Sequence, residues 1–103
     1  MKSAMILYEV SVNIRIDLSE QFERYMREKH IPEIWATKCF EEIRFDKVNP
    51  THYRTCYQAS STANYERYLS EFANAMRADF MAHFPEDCVP SRLVYETLQS
   101  WAD

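Results

Sequence analysis

Hydrophobic and polar residues alternate one for one near the start of the chain. From Ile6 to Ile14 every second residue is apolar, and most of the residues between are polar. This period of two predicts a β-strand with one buried face. Three later segments have strand patterns as well, and they lie at 40–47, 53–59 and 91–98.

Two other segments have the 3.6-residue period of amphipathic helices. In the first, Asp17 stands three residues before Glu20, the spacing of a capping box, which predicts the helix start. Pro32 cannot continue a helix without breaking or kinking it, so this helix is predicted to end near His30, with a short extra turn from Pro32 through Trp35 as an option. The second is predicted as one long helix after the N-cap residues 60–62. Its apolar stripe comprises Tyr65, Tyr68, Leu69, Phe72, Met76, Phe80 and Phe84.

The order strand, helix, strand, strand, helix, strand is typical of the ferredoxin-like β-α-β-β-α-β unit. We therefore predict an α+β fold, a four-stranded antiparallel sheet with two helices on one face. A chain of 103 residues has room for one such domain, predicted over 1–103. The helices open on similar sequences at 22–26 and 65–69. A pseudo-twofold between two split halves would produce this similarity, and so would chance.

With both helices on one side, the other sheet face is left open. Its mixture of apolar and charged residues favours a homodimer in which two sheets meet face to face. Glu9 and Glu42 would then lie near Arg44 and Arg54 in the dimer interface. The alternative is a solvated face with ordinary ion pairs. The residues predicted on this face are Leu7, Glu9, Phe40, Glu42, Arg44, Arg54, Cys56 and Gln58.

Composition narrows the functional classes. The net charge is −4 and the basic residues are scattered, so neither nucleic acid nor an anionic membrane surface is a predicted partner. The basic and aromatic motif of RNA-binding sheets is missing. No apolar stretch approaches the roughly 20 residues of a membrane span. Glu9 follows the N-terminus too closely for a signal peptide, so we expect a cytoplasmic protein.

The chain contains no glycine, which counts against P-loops and dinucleotide-binding fingerprints. Its three cysteines are odd in number and widely spaced, a poor framework for disulfides or zinc. His30 with Glu33, and His83 with Glu86, have a spacing that metal ligands use, but a proline interrupts each pair. We therefore predict neither a metal nor a cofactor.

Three segments of the chain resemble the domain of unknown function 4286 family. They are Met-Ile-Leu-Tyr-Glu-Val at 5–10, His-Ile-Pro-Glu-Ile-Trp-Ala-Thr at 30–37, and Arg67-Tyr68 running into Arg-Ala-Asp at 77–79. The resemblance spans nearly the whole chain. It implies membership of the dimeric α/β-barrel group, in which two ferredoxin-like sheets pack face to face. It implies no established activity.

The chain departs from the pattern of that family at several positions. Lys38 stands where members carry glycine, between the first helix and the second strand. Phe72 and Asn74 replace a histidine and a proline, and Phe80 replaces a further histidine. Any chemistry that members perform with those histidines is not expected in this chain.

His30 is the candidate residue for proton transfer. A histidine at a helix C-terminus is favoured as a cation, and near neutral pH it can move protons. The resemblance implies a pocket between sheet and helices, with Tyr8, Trp35 and Tyr57 as candidate lining residues. The alternative is that His30 caps the helix by bonding a carbonyl. Aromatic residues make up 15% of the chain, which suits a pocket or an interface.

Three functions stay open on the sequence. The favoured one is a non-catalytic dimeric module that binds a small molecule or a partner, because no catalytic motif stands out. The second is a cofactor-independent oxygenase or cyclase acting on an aromatic small molecule, with His30 as acid or base. The third is a protein-interaction module.

Overall fold

The computed structural model describes residues 5–86 and 88–102. Four strands form one antiparallel sheet in the order β2-β3-β1-β4, with the helices packed on one face. This confirms the predicted ferredoxin-like fold. The strands are β1 (Met5–Ile14), β2 (Glu42–Asn49), β3 (His52–Ala59) and β4 (Cys88–Thr97). The helices are α1 (Ser19–Tyr25), α2 (Ile31–Trp35), α3 (Thr62–Glu71) and α4 (Ala73–His83).

The register of β1, a central strand, decides which side chains face the helices. Tyr8 lies opposite Tyr57 of β3 and Val94 of β4. Tyr8, Val12 and Ile14 are buried, which confirms the apolar face predicted from the alternation. The open sheet face is formed by the other parity, in which Glu9 lies opposite Cys56 and Leu93.

The core is built largely from rings. Phe22 of α1 is 0% exposed, and its ring centroid lies 5.0 Å from that of Tyr53 and 5.6 Å from that of Phe84. A second cluster surrounds Tyr8 and Tyr57, whose rings stack at 5.6 Å. The high aromatic content thus fills an interior that few aliphatic side chains occupy. No helix within the described ranges is long and apolar enough to cross a membrane.

Phe40 was predicted on the open sheet face, and this is wrong. It is 6% exposed, and its ring lies 5.0 Å from Tyr68 and 5.3 Å from Tyr57 in the core. Phe40 precedes the first residue of β2, so the alternation of a strand does not decide its direction. The side chain of Phe40 points into the core because burial of its ring against the two tyrosines is favourable.

The predicted capping box at the first helix does not form. Asp17 lies in a 3₁₀ turn, Ile16–Leu18, where its carboxylate accepts a hydrogen bond from Arg15 Nε. Helix α1 therefore begins later, at Ser19, without a side-chain cap. The prediction for the other helical region is confirmed, because the Ser61 hydroxyl accepts a hydrogen bond from the Asn64 amide.

The boundary predicted near His30 and the short turn through Trp35 are both present, but the chain stays helical across the boundary. A π-helical turn, Met26–His30, joins α1 directly to α2, and Pro32 lies in the first turn of α2. A proline lacks the backbone N–H that a continuing α-helix would use, and the π turn before Pro32 changes the hydrogen-bond pattern at that point. The wider π turn therefore lets the chain continue past a residue that normally stops a helix.

The predicted long second helix is two helices. Phe72, with φ −126° and ψ −33°, interrupts the helical backbone between α3 and α4. After this break Ala73 packs in the cluster around Tyr8, whereas Phe80 packs in the cluster around Phe22. One apolar stripe, interrupted at Phe72, therefore serves both halves of the core.

Lys38 adopts a left-handed backbone conformation, with φ 61°. It stands between α2 and β2, at the position where the resemblance gives glycine. A side chain with a Cβ costs about 1–2 kcal/mol in this conformation. The carbonyl of Lys38 accepts a hydrogen bond from Arg67 Nη2 at 3.1 Å, which holds the turn in place.

We expect Lys38→Gly to raise the free energy of unfolding by about 0.5–1 kcal/mol. The relief of the left-handed backbone exceeds the added entropy of glycine in the unfolded chain. Urea denaturation measures the change. Lys38→Ala is the control, because it keeps the Cβ and should stay within about 0.5 kcal/mol of the parent. A destabilised glycine variant would contradict this account of the turn.

Candidate functional site

A cavity of about 40 Å³ lies between the sheet and the helices. A buried water needs roughly 10–15 Å³ of such space, so the cavity has room for a few waters or a small polar group. Its walls are mostly rings and apolar chains from β1, β3, α3 and α4. We call this cavity the pocket; its apolar lining includes Tyr57, Tyr68, Val10, Val12, Met76 and Phe80.

The hydroxyl of Tyr8 is the centre of the polar part of the pocket. It accepts hydrogen bonds from Arg92 Nε at 3.1 Å and from Arg77 Nη2 at 3.3 Å. Arg92 comes from β4 beside Tyr8, and Arg77 comes from α4 above the sheet. Two guanidinium groups from different layers therefore converge on one phenol oxygen.

The donors of Arg77 are not all used. Its Nε is buried and has no hydrogen-bond partner in the structure. Within residues 5–86 and 88–102, no carboxylate forms an ion pair with Arg77 or Arg92. Buried polar groups without partners are rare in folded proteins and call for an explanation.

His30 also lines the pocket, and it is buried at 9% exposure. Its Nδ1 lies 3.2 Å from the Tyr25 hydroxyl, which donates its own proton to Asp79 Oδ2 at 2.7 Å. Nδ1 must then be the protonated nitrogen that donates to Tyr25, because Tyr25 has only one proton to give. Nε2 is left unprotonated as an acceptor.

Burial lowers the pKa of His30 to about 4, so the imidazole is neutral at neutral pH. The helical chain continues past His30, so the C-terminal dipole that would favour its cationic form is absent there. Its Nδ1 bonds a side-chain hydroxyl rather than a carbonyl, which differs from the predicted cap.

Asp79 connects α4 to the helical segment that carries His30. Besides the Tyr25 hydroxyl, it pairs with Lys29 Nζ at 3.1 Å. The hydrogen bond from Tyr25, followed by that from Lys29, lowers the pKa of Asp79. Burial and then the Asp79 carboxylate raise the pKa of Tyr25. These bonds hold the His30 ring in one orientation beside the pocket.

The structure brings three of the four residues predicted for a site together. Tyr8, Tyr57 and His30 line the pocket, whereas Trp35 is 50% exposed at the end of α2 and lies outside it. Sequence reasoning missed Arg77 and Arg92. Arg92 shares its face of β4 with Pro90, which also lines the pocket, but this is a feature of the folded sheet and gives no signal in the sequence.

The open sheet face carries the four residues predicted for a dimer interface. Arg54 pairs with Glu9 of the same chain, and the Tyr95 hydroxyl donates to Glu9 at 3.3 Å. Arg44 pairs with Asp46 at 3.0 Å rather than with a predicted glutamate, and Glu42 lies exposed opposite Gln58. The charged pairs thus form at least partly within one chain.

The edge strand β4 carries large apolar side chains that are open to solvent. On the open sheet face these are Val89, Leu93 and Tyr95, at 66%, 58% and 38% exposure. Leu98 and Trp101 follow the strand at 89% and 82%. Long exposed edge strands of this kind are ready templates for association with another chain.

Metal ligands are not grouped at the pocket. No cluster of three or more histidine, cysteine, aspartate or glutamate side chains suited to a metal occurs in the described part of the chain. The three cysteines are free thiols, and Cys88 lies half-buried at the first residue of β4.

Comparison with known proteins gives a family and a fold. The family model described as domain of unknown function (DUF4286) matches residues 5–98. A protein of unknown function from Nitrosomonas europaea superimposes with a TM-score of 0.75 at 13% identity, covering 100% of this chain and 98% of that one. No curated protein matches the sequence.

Two further solved structures share the fold. A dimeric ferredoxin-like protein from an uncultured marine organism has a TM-score of 0.75 at 10% identity, covering 96% of this chain and all of the other. A candidate antibiotic biosynthesis monooxygenase from Nitrosomonas europaea has a TM-score of 0.64 at 17% identity, with coverage of 95% and 94%. At these identities the likeness establishes the fold alone.

The buried neutral His30 predicts a loss of stability in mild acid. Its pKa is about 4 when folded and near 6.5 when unfolded, so between these values the unfolded chain binds more protons. The stability that comes from keeping His30 neutral is fully present above pH 6.5. It is lost as the pH falls to 4, which lowers the free energy of unfolding by about 3 kcal/mol. Denaturation at a series of pH values measures it.

His30→Gln should remove that part of the pH dependence, whereas His83→Gln should retain it because His30 is unchanged. An equal slope between pH 6.5 and 4 in the parent and in His30→Gln would show that His30 titrates normally in the folded protein.

Proposed function

Because the chain belongs to the domain of unknown function 4286 family, whose name assigns no activity, we propose its function from the pocket itself. It is a non-catalytic homodimeric module that binds a small organic molecule between the sheet and the helices. The observation that carries this proposal is a pocket in which apolar walls surround a few convergent polar groups, the usual composition of small-molecule sites.

The exposure of the lining residues indicates where a ligand enters. Arg92 is the exposed one among them, whereas the others are buried or half-buried. The mouth of the pocket therefore lies at β4, on the side of the sheet that faces the helices. Because Arg92 and the Tyr8 hydroxyl lie at this mouth, a ligand would place its polar end there and a small apolar group inside.

Several observations support a homodimer through the open sheet face. The accessible surface is 6830 Å², compared with about 6,100 Å² for a compact monomer of 12.4 kDa. The exposed apolar side chains of β4 contribute to this excess. The solved ferredoxin-like protein from an uncultured marine organism is dimeric, which is the assembly expected from the sequence.

A binding role is preferred to catalysis because of His30. With a pKa of about 4 it is neutral at neutral pH and cannot donate a proton from Nε2. It is also a weak base, since efficient general bases have pKa values near the working pH. The second candidate function, a cofactor-independent oxygenase or cyclase, uses the same pocket with His30 as base. The solved candidate monooxygenase has a similar fold.

Three sequence predictions accompany this proposal. We propose that residues 1–103 form one domain, that the protein acts in the cytoplasm, and that nucleic acid is not its partner. A protein-interaction role would use the open sheet face and leave the pocket without a ligand, so the ligand experiment below separates these functions.

The methionines allow a direct test of the pocket. Met26 and Met76 line it, whereas Met81 is 47% exposed on α4 and serves as an internal control. With ¹³C-methyl methionine, titration with butyrate and with its neutral analogue butyramide should shift the signals of Met26 and Met76 but not that of Met81. Shifts of Met81 alone, or of no methionine with either compound, would rule out a ligand-binding pocket.

Leu93→Asp should dissociate the dimer. A carboxylate among the exposed apolar side chains of β4 on the open sheet face would be desolvated on assembly, which should weaken association at least tenfold, or by about 1.4 kcal/mol. Sedimentation velocity at a series of concentrations measures the effect. Met81→Asp makes the same change on the outer side of α4 and should leave the dimer intact. A parent protein that is monomeric at micromolar concentration would contradict the proposed assembly.

A further inference from the structure

We propose that the ligand of this pocket is an organic monocarboxylate, bound through Arg77, Arg92 and the hydroxyl of Tyr8. The inference rests on the proposed function and adds the chemical class of the ligand. It follows from two guanidinium groups meeting at Tyr8, of which one has a buried, unused donor.

The unused donor indicates what kind of atom is missing. Arg77 Nε is buried without an acceptor, while Nη2 of the same guanidinium donates to Tyr8. A guanidinium presents its N–H groups as a planar fork that matches the two oxygens of a carboxylate. A carboxylate that takes one hydrogen bond from Nε would satisfy the donor that the protein leaves unpaired.

The charge of the pocket also favours an anionic ligand. Arg77 and Arg92 are its two cationic lining residues, since His30 is neutral. No acidic side chain lines the pocket among the described residues, and neither arginine has an ion pair there. Two like charges beside a partly buried cavity repel each other, and an anion between them would relieve this repulsion.

A carboxylate fits the surroundings better than a phosphate does. Phosphate sites usually supply several backbone amides from a glycine-rich loop or a helix N-terminus, and this chain has no glycine. The donors here are two guanidinium groups and one phenol. The cavity of about 40 Å³ has room for a group of carboxylate size.

The remaining walls describe the rest of the ligand. Val10, Val12, Met76 and Phe80 offer apolar contacts around the polar end of the pocket. They would favour a short alkyl or aryl group attached to the carboxylate over a sugar or a second charged group. The ligand class is therefore a small monocarboxylic acid with an apolar substituent.

The test compares butyrate, butyramide and inorganic phosphate by the shifts of Met26 and Met76. Butyrate should bind at least tenfold more tightly than butyramide, because hydrogen bonds to a charged acceptor are the stronger ones. Phosphate should cause no saturable shift. Arg92→Gln, at an exposed position, and Arg77→Gln should each weaken butyrate binding at least tenfold while leaving butyramide unaffected.

Arg27→Gln is the matched control. Arg27 is an exposed arginine that pairs with Glu23 at 3.6 Å, away from the pocket, so its replacement should leave butyrate binding unchanged. Equal binding of butyrate and butyramide would overturn the carboxylate inference and leave the ligand-binding function standing. Tighter binding of phosphate would overturn it in favour of a phosphate ligand. Loss of binding in Arg27→Gln to the same extent would also overturn it.

Discussion

The burial of the Tyr8 hydroxyl on the helix side of the central strand is the constraint on which the rest of the structure depends. A phenol can be buried there only if its oxygen finds partners, since an unpaired polar group in the interior is costly. Arg77 reaches it from the helix layer and Arg92 from the neighbouring strand. The same contact that satisfies Tyr8 therefore brings two positive charges to the pocket.

The helix layer is adapted to a second buried group, His30. Its ring is held by Tyr25, and Tyr25 is held by Asp79 of α4. This sequence of hydrogen bonds links the π-helical turn to α4 across the helix layer. It fixes the protonated nitrogen of His30, while burial keeps the ring neutral, so that positive charge in the pocket stays with the arginines.

The sheet and its buried face could be predicted from sequence because alternation is a local property of a strand. The alternation between Ile6 and Ile14 identifies the buried face of β1 without knowledge of its neighbours. The helix limits could not be predicted in the same way. The π turn before Pro32 and the break at Phe72 depend on how the helices pack. Phe40 points into the core because its ring packs against Tyr57 and Tyr68.

The candidate site was only half predictable for the same reason. Tyr8, Tyr57 and His30 attract notice as residue types, whereas Arg77 and Arg92 look like ordinary surface arginines in the sequence. Their role follows from the register of β1 with β4 and from the placement of α4 over the sheet. Both are long-range features, which a local pattern does not contain.

The central claim is that this chain assembles as a dimer and binds a small acid at the arginine pair of each pocket. Native mass spectrometry of gently purified protein tests it most directly, because one spectrum reports assembly and bound molecules together. We predict a dimer of the 12.4 kDa chain that gains the mass of butyrate when this acid is added, and gains that of butyramide only at concentrations at least tenfold higher. A monomer that gains neither mass would contradict the account.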